Sequence, residues 1–256
     1  MLPVADVIHP DWPAPPGVRA LFTSRGGGVS VAPFDSFNLG DHVRDEPLAV
    51  AGNRDRLAAL TSPARPVFLR QVHGTQVRRL APDTPDGCEA DACVVQTPGV
   101  AATIMVADCL PVLFAHASGT AVAAAHAGWR GLAGGVLEAT ASQLGDAAGD
   151  GEVMAWLGPC IGPQAFEVGA EVCEAFVALD PGATGHFWPT GEGRFLADLP
   201  ALARRRLHAV GITNVHGNDG SSPWCTVANP SRFFSHRRDA AALGSTGRMA
   251  ACIWID

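Results

Sequence analysis

Residues 92–126 read ACVVQTPGVAATIMVADCLPVLFAHASGTAVAAAH. Four short apolar segments stand out within it: Ala92–Gln96, Ala101–Ala107, Pro111–His116 and Thr120–His126. Each is bounded by turn residues such as Thr97-Pro98-Gly99 and Ser118-Gly119. Continuous apolar runs of this length, without the alternation of a half-exposed strand, predict strands buried on both faces. Outward from this block, Val18–Ser24, Val67–Val72, Val153–Leu157 and Met249–Ile255 also read as strands. Helices are expected over 46–60 (Leu48, Leu57 and Leu60 inward) and 131–144 (Leu132, Val136, Leu137 and Leu144 inward). Two more are expected over 167–179 and over 198–210, the second with Leu199, Leu202, Leu207 and Val210 near one face. Strands in runs, mixed with helices without strict alternation, predict an α+β fold with a mixed sheet. No repeat or low-complexity linker divides the chain, so residues 1–256 are expected to form one domain.

Composition narrows the function. Of 256 residues, 47% are hydrophobic and 17% charged, enough for a substantial core. The net charge of −7 argues against a general nucleic-acid or membrane-surface binder. No apolar run approaches the roughly 20 residues of a membrane span, and the N-terminus lacks the features of a secretion signal. A cytoplasmic protein is expected. All 18 basic residues are arginine, so an anionic substrate group must be held by Arg, His or backbone amides. The seven cysteines form no Cys-x-x-Cys pair, which favours reduced thiols over a disulfide framework or a four-cysteine zinc site.

Three short segments carry candidate chemistry: Q-V-H-G around His73, A-D-C-L-P around Cys109 and H-A-G-W-R-G from His126. Two imidazoles and a thiolate are ligands zinc prefers, and three protein ligands leave a position for water or substrate. Separations of 36 and 17 residues match no local zinc finger, so such a site must assemble through tertiary structure. Taken alone, these residues read more readily as hydrogen-bonded structural histidines and a core cysteine.

The strings R-Q-V-H-G (Arg70–Gly74), A-D-C-L-P (Ala107–Pro111) and H-A-G-W-R-G (His126–Gly131) resemble the signatures of the YfiH family, whose members are often described as laccase-like or polyphenol oxidases. The similarity continues through T-S-R-G-G-G-V-S (Thr23–Ser30), F-N-L-G (Phe37–Gly40), G-P-C-I-G (Gly158–Gly162), F-E-V-G (Phe166–Gly169), F-F-S-H-R-R-D (Phe233–Asp239) and T-G-R-M-A-A (Thr246–Ala251). It spans nearly the whole chain. Gln164-Ala165 and His236 depart from residues common in relatives.

The resemblance implies an α/β/α arrangement around a mixed sheet and a zinc held by His73, Cys109 and His126. It also implies phosphorolysis of purine nucleosides (adenosine, inosine, methylthioadenosine), with adenosine deamination at the same site. Deamination requires an activated water, which a three-ligand zinc supplies by lowering the pKa of water to about 7. Asp108, beside the thiolate, is the candidate for proton transfer, with a hydrogen-bonding or strand-capping role as the alternative. If it shares a pocket with Cys109, the backbone must bend there, because consecutive strand residues face opposite sides.

Phosphorolysis needs an anion site, for which Arg25, Arg130 and Arg232 are candidates because a guanidinium pairs two oxygens. Trp129, Phe233 and Phe234 are candidates to stack on a purine, and Gln71 to bind the base or orient a ligand. His42 and His236 have no assigned role. Three rival functions use the same residues differently. Cys109 could be the nucleophile of a metal-free hydrolase acting on cytoplasmic peptidoglycan precursors, a role linked to the family. A copper polyphenol oxidase would need many more clustered histidines than nine without a His-x-His pair, although copper can occupy a zinc site incidentally. A non-catalytic metal or nucleoside-binding module is the third. Oligomeric state is not legible.

Overall fold

The protein was analysed as a computed structural model that describes residues 6–256. The central apolar strands divide between two mixed sheets. The first has five strands in the order Val7–Ile8, Val18–Thr23, Met249–Ile255, Val100–Val106, Arg65–Phe68. Its last pair is parallel and the others antiparallel. The second has six strands in the order Asn214–Gly217, Val153–Leu157, Leu110–His116, Val122–Ala127, Ala92–Val95, Val77–Leu80. Its two outer pairs are parallel and the three inner ones antiparallel. A small antiparallel sheet of Glu167–Gly169, Phe187–Gly191 and Arg194–Ala197 lies beyond them.

The two large sheets pack face to face. Ala102, Ile104, Val106, Ala251 and Ile253 of one meet Cys93, Val95, Leu113, Ala124 and Trp156 of the other in a shared core. On the outer face of the five-stranded sheet, Leu57 of the helix Pro47–Thr61 packs against Ala101, Met105 and Cys252. On the outer face of the six-stranded sheet, the helix Val136–Ala148 packs over Val94, Val112, Phe114 and Ala125, and the helices Ala170–Val177 and Leu199–Ala209 extend the same apolar cluster. The mixed sheet expected between helical layers is thus realised as a pair of mixed sheets. Every residue of the strands 92–95, 100–106, 110–116 and 122–127 is buried, which is why their sequences lack polar alternation.

Local signals set the helix ends. Asp198 accepts from the Ala201 amide at 2.9 Å and Pro200 lies in the first turn, starting the helix at Leu199. The helix expected over 131–144 is two, Trp129–Gly134 and Val136–Ala148, broken at Gly135 with φ of 99°. Val67–Val72 is strand only to Phe68, and 167–169 is strand before its helix begins at Ala170. Two inward faces need correction. Leu48 is 81% exposed and Val210 43%, because each lies at a helix end where the packing neighbour has already turned away. Leu60, at 36%, borders solvent for the same reason.

Candidate metal centre and its cavity

The chain crosses between the two large sheets at His73 and again at Cys109. His73 lies between Arg65–Phe68 of one sheet and Val77–Leu80 of the other. Cys109 lies between Val100–Val106 and Leu110–His116. His126 sits on the strand Val122–Ala127, beside Pro111 in register. These crossings bring the donor atoms of His73, Cys109 and His126 within 4.8 Å of one another. The Sγ of Cys109 is 3.8 Å from Nε2 of His73, and the two imidazoles meet edge to face.

Two residues at the crossings adopt left-handed backbone conformations, His73 with φ of 62° and Asp108 with φ of 87°. Such conformations cost energy in a non-glycine residue and persist only where the surroundings enforce them. The bend needed beside Cys109 is therefore located at Asp108. At His73 the enforcing group is Asp91, which is fully buried. Its carboxylate accepts the amides of Val72 (3.1 Å), His73 (2.9 Å) and Gly74 (2.7 Å). The same carboxylate meets Nδ1 of His126 at 2.8 Å. With Nδ1 engaged there as the donor, loss of the Nε2 proton of His126 would direct that lone pair to the cluster, an arrangement common behind metal-bound histidines.

The electrostatics fit a cation. Burial alone would raise the Cys109 thiol, but the imidazoles of His126 and His73 outweigh it and bring it down to about 6. Burial would lower His126, yet the Cys109 sulfur and the Asp91 carboxylate hold it up at about 9. Asp91 is held below the ordinary range because His126 and the Gly74 amide outweigh its desolvation. A thiolate, two imidazoles and a carboxylate behind one of them form a donor set suited to zinc or another borderline divalent ion. Gly128 keeps the space open: a Cβ there would lie 2.9 Å from the His73 ring and 3.0 Å from the Cys109 sulfur.

The cluster opens into a cavity of about 760 Å³, a size that accommodates a nucleoside-sized ligand. Of the residues singled out from sequence, Gln71, Asp108 and Trp129 line it together with the three cluster residues, as do His42 and His236, to which no role was assigned. Gln71 is locked to the backbone of Met105, donating and accepting at 2.8 Å. Asp108 accepts from Thr226 Oγ1 at 2.5 Å and from the Arg237 amide at 2.6 Å, so both its oxygens are engaged.

The remaining candidates lie outside the cavity lining. Arg25 donates to the carbonyls of Asp35 and Pro230 and pairs with the Asp35 carboxylate. Arg130 stacks over Trp129, and Arg232 over Phe233. Phe233 and Phe234 are wholly buried in the core between the sheets. Sequence reasoning missed Asp91, although a carboxylate at the mouth of the apolar run 92–95 was a signal, since a buried charge demands partners. It also missed Arg54, Phe166, Arg237 and Arg248 of the cavity wall, which no local pattern marks as facing one space.

Comparison with known proteins places these observations. A family model described as "Multi-copper polyphenol oxidoreductase laccase" matches residues 19–256. A purine nucleoside phosphorylase of Pseudomonas aeruginosa is 54% identical, covering 97% of this chain and 98% of that one. Purine nucleoside phosphorylase YfiH of Escherichia coli is 49% identical over 98% of this chain and all of its own length. The crystal structure of a Neisseria meningitidis protein superposes with a TM-score of 0.89 at 46% identity, covering 98% of this chain and 99% of that one.

Proposed function

This chain belongs to the YfiH family of laccase-like proteins, and from that premise we propose that it is a metal-dependent purine nucleoside phosphorylase that also deaminates adenosine. The observation that carries the reading is the convergence of His73, Cys109 and His126 on the wall of a nucleoside-sized cavity. The substrates proposed are adenosine, inosine and methylthioadenosine with inorganic phosphate. In phosphorolysis a phosphate oxygen bonds to C1′ of the ribose as the C1′–N9 bond breaks. The bonding pair leaves with the purine, which takes up a proton, and the sugar remains as ribose-1-phosphate, or as 5-methylthioribose-1-phosphate from methylthioadenosine.

Zinc is the ion proposed for the three donors, where it would act as a Lewis acid and lower the pKa of water for deamination. The chain's own residues do the rest. Asp91 orients His126 and fixes the turn that presents His73. Trp129 and Phe166, both on the cavity wall, offer aromatic surface to the base. Asp108, with both oxygens engaged, is assigned the positioning of Arg237 and of the bend before Cys109 rather than proton transfer.

One observation favours a second reading. A thiol brought down to about 6 beside an imidazole is also the pair used by cysteine hydrolases. Multicopper oxidation has no such support: among the described residues one cluster of metal-ligating side chains is found, where that chemistry requires a second. Incubating pure protein with adenosine, with and without phosphate, and separating the products tests the proposal. Adenine with ribose-1-phosphate in the phosphate arm supports it. Unchanged adenosine in metal-replete protein overturns it. Turnover that survives complete metal removal favours the thiol reading instead.

A further inference from the structure

Four arginines line the cavity: two pair with carboxylates, and a third, Arg237, is exposed to solvent. Arg70 pairs with Glu89 on the exposed rim. Arg54 pairs with Asp41 at 3.2 Å, donates to the Leu39 carbonyl and stacks over Phe68. Arg237 donates to the carbonyls of Ala165 and Glu167. Arg248 differs. Its guanidinium donates only to the neighbouring carbonyls of Thr246 and Gly247, and no carboxylate among the described residues lies within ion-pair reach.

The fold builds this position deliberately from two distant segments. The Arg248 amide donates to Asn38 Oδ1 at 2.8 Å, and its carbonyl accepts from the Leu39 amide at 3.1 Å. Its stem crosses Gly40 so closely that a Cβ there would lie 2.7 Å from Cγ of the arginine. F-N-L-G and T-G-R-M-A-A, two segments without a function so far, thus meet to hold one side chain on the cavity wall. His42 and Arg54 line the same cavity, on the same stretch of chain that supports the arginine.

The Arg248 guanidinium is largely desolvated, and the Cys109 sulfur and the Asp108 carboxylate favour its charge only from beyond ion-pair distance, so an anionic ligand in direct contact would complete its pairing. We propose that Arg248, with His42 and Arg54 beside it, forms the inorganic-phosphate subsite of this cavity. The guanidinium offers paired donors to two oxygens of a tetrahedral anion, and His42 offers a third donor once protonated. In the free protein, burial and then the charge of Arg248 outweigh the Asp41 carboxylate, 3.5 Å from Nδ1, and hold His42 below its ordinary range. A bound dianion would oppose that second influence and favour the protonated ring. Arg54, already shared with Asp41, contributes the field at the back of the subsite. The identity of the anion rests on the phosphorylase reading; the existence of an oxyanion site does not.

The test titrates sodium phosphate into the full-length, zinc-loaded protein and follows the His42 ring resonance by NMR, assigned with H42Q. Phosphate KM is measured in parallel with adenosine saturating. Wild type should show a saturable shift of the His42 signal. R248Q should weaken phosphate about tenfold or more in both measurements, the scale of one lost charge-assisted bond, while adenosine KM changes little. R248K should recover part of the loss. If R248Q binds phosphate as wild type does, the subsite is refuted. Should R248Q fail to fold, an H42Q variant, which lacks the reporting ring and is read by phosphate KM alone, refutes it equally if that KM is unchanged. Phosphate binding that depends on Arg248 without phosphorolysis would uphold the oxyanion site and defeat the phosphorylase reading. Phosphorolysis with an unchanged phosphate KM in R248Q would do the opposite.

Discussion

Replacing Asp91 by asparagine isolates one charge from one shape. In the native site the carboxylate takes four donors: the amides of Val72, His73 and Gly74 and Nδ1 of His126. An alanine would leave all four without a partner, at about 1–3 kcal/mol each. The sum approaches the whole stability of a typical domain, about 5–15 kcal/mol, so D91A is expected to unfold and teaches little. Asparagine keeps one oxygen for part of the set but turns an NH₂ toward the remainder. Loss of charge weakens the retained bonds by roughly 1 kcal/mol each, and the donor-to-donor encounter adds about 1–3 kcal/mol. A net loss of about 3 kcal/mol corresponds to a Tm lower by about 6–12 °C in a chain of this size. Because the same carboxylate orients His126, metal affinity should also fall, by about 10–100-fold. Calorimetry of the metal-free protein and competition against a chromophoric chelator measure the two effects separately. If D91N matched wild type in both, the carboxylate would not be the organising group of the site.

Other expectations follow from the same geometry. Cys109→Ala should lose most bound zinc and both purine reactions while keeping its circular dichroism spectrum; retained turnover would exclude the thiolate as ligand and as nucleophile. Gly128→Ala places a methyl group 2.9 Å from the His73 ring and 3.0 Å from the Cys109 sulfur. It should reduce zinc affinity at least tenfold by chelator competition, with the metal-free Tm nearly unchanged. Cys93 and Cys252 are fully buried, and desolvation pushes each thiol up to about 12. The unfolded chain loses these protons first, near pH 8.5. Stability is therefore retained below that pH and lost as pH rises toward 12, at about 1.4 kcal/mol per unit for each thiol. Thermal melts between pH 8 and 11 should show the decline, and C252A should flatten it; identical slopes would refute the assignment.

The central strands were legible because burial on both faces leaves a plain apolar run, and 92–95, 100–106, 110–116 and 122–127 occur close to where those runs lie. Division into two packed sheets was not legible, since the same runs suit either arrangement. Helix edges were read less well: Leu48 and Val210 obey the periodicity but sit at ends with nothing to pack on. His73, Cys109 and His126 stood out through residue type and family resemblance, and the fold brings them together. Phosphate candidates chosen by neighbouring glycine or aromatic residues went elsewhere. Arg25 was drawn to the carbonyls of Asp35 and Pro230, and Phe233, a candidate for purine stacking, into the core. Arg248 was not legible because what distinguishes it, a largely desolvated guanidinium on the cavity wall with no direct ion pair, arises only when segments 210 residues apart meet.

His73 and Cys109 both lie where the polypeptide passes from one sheet to the other, whereas His126 belongs to a single strand. An ion shared among them would work as a rivet through the seam of the sandwich. Its occupancy should then be readable far from any substrate, as slower amide exchange along residues 70–76 and fewer protease cuts there. Metal supply would in that way govern the lifetime of the protein as well as its chemistry.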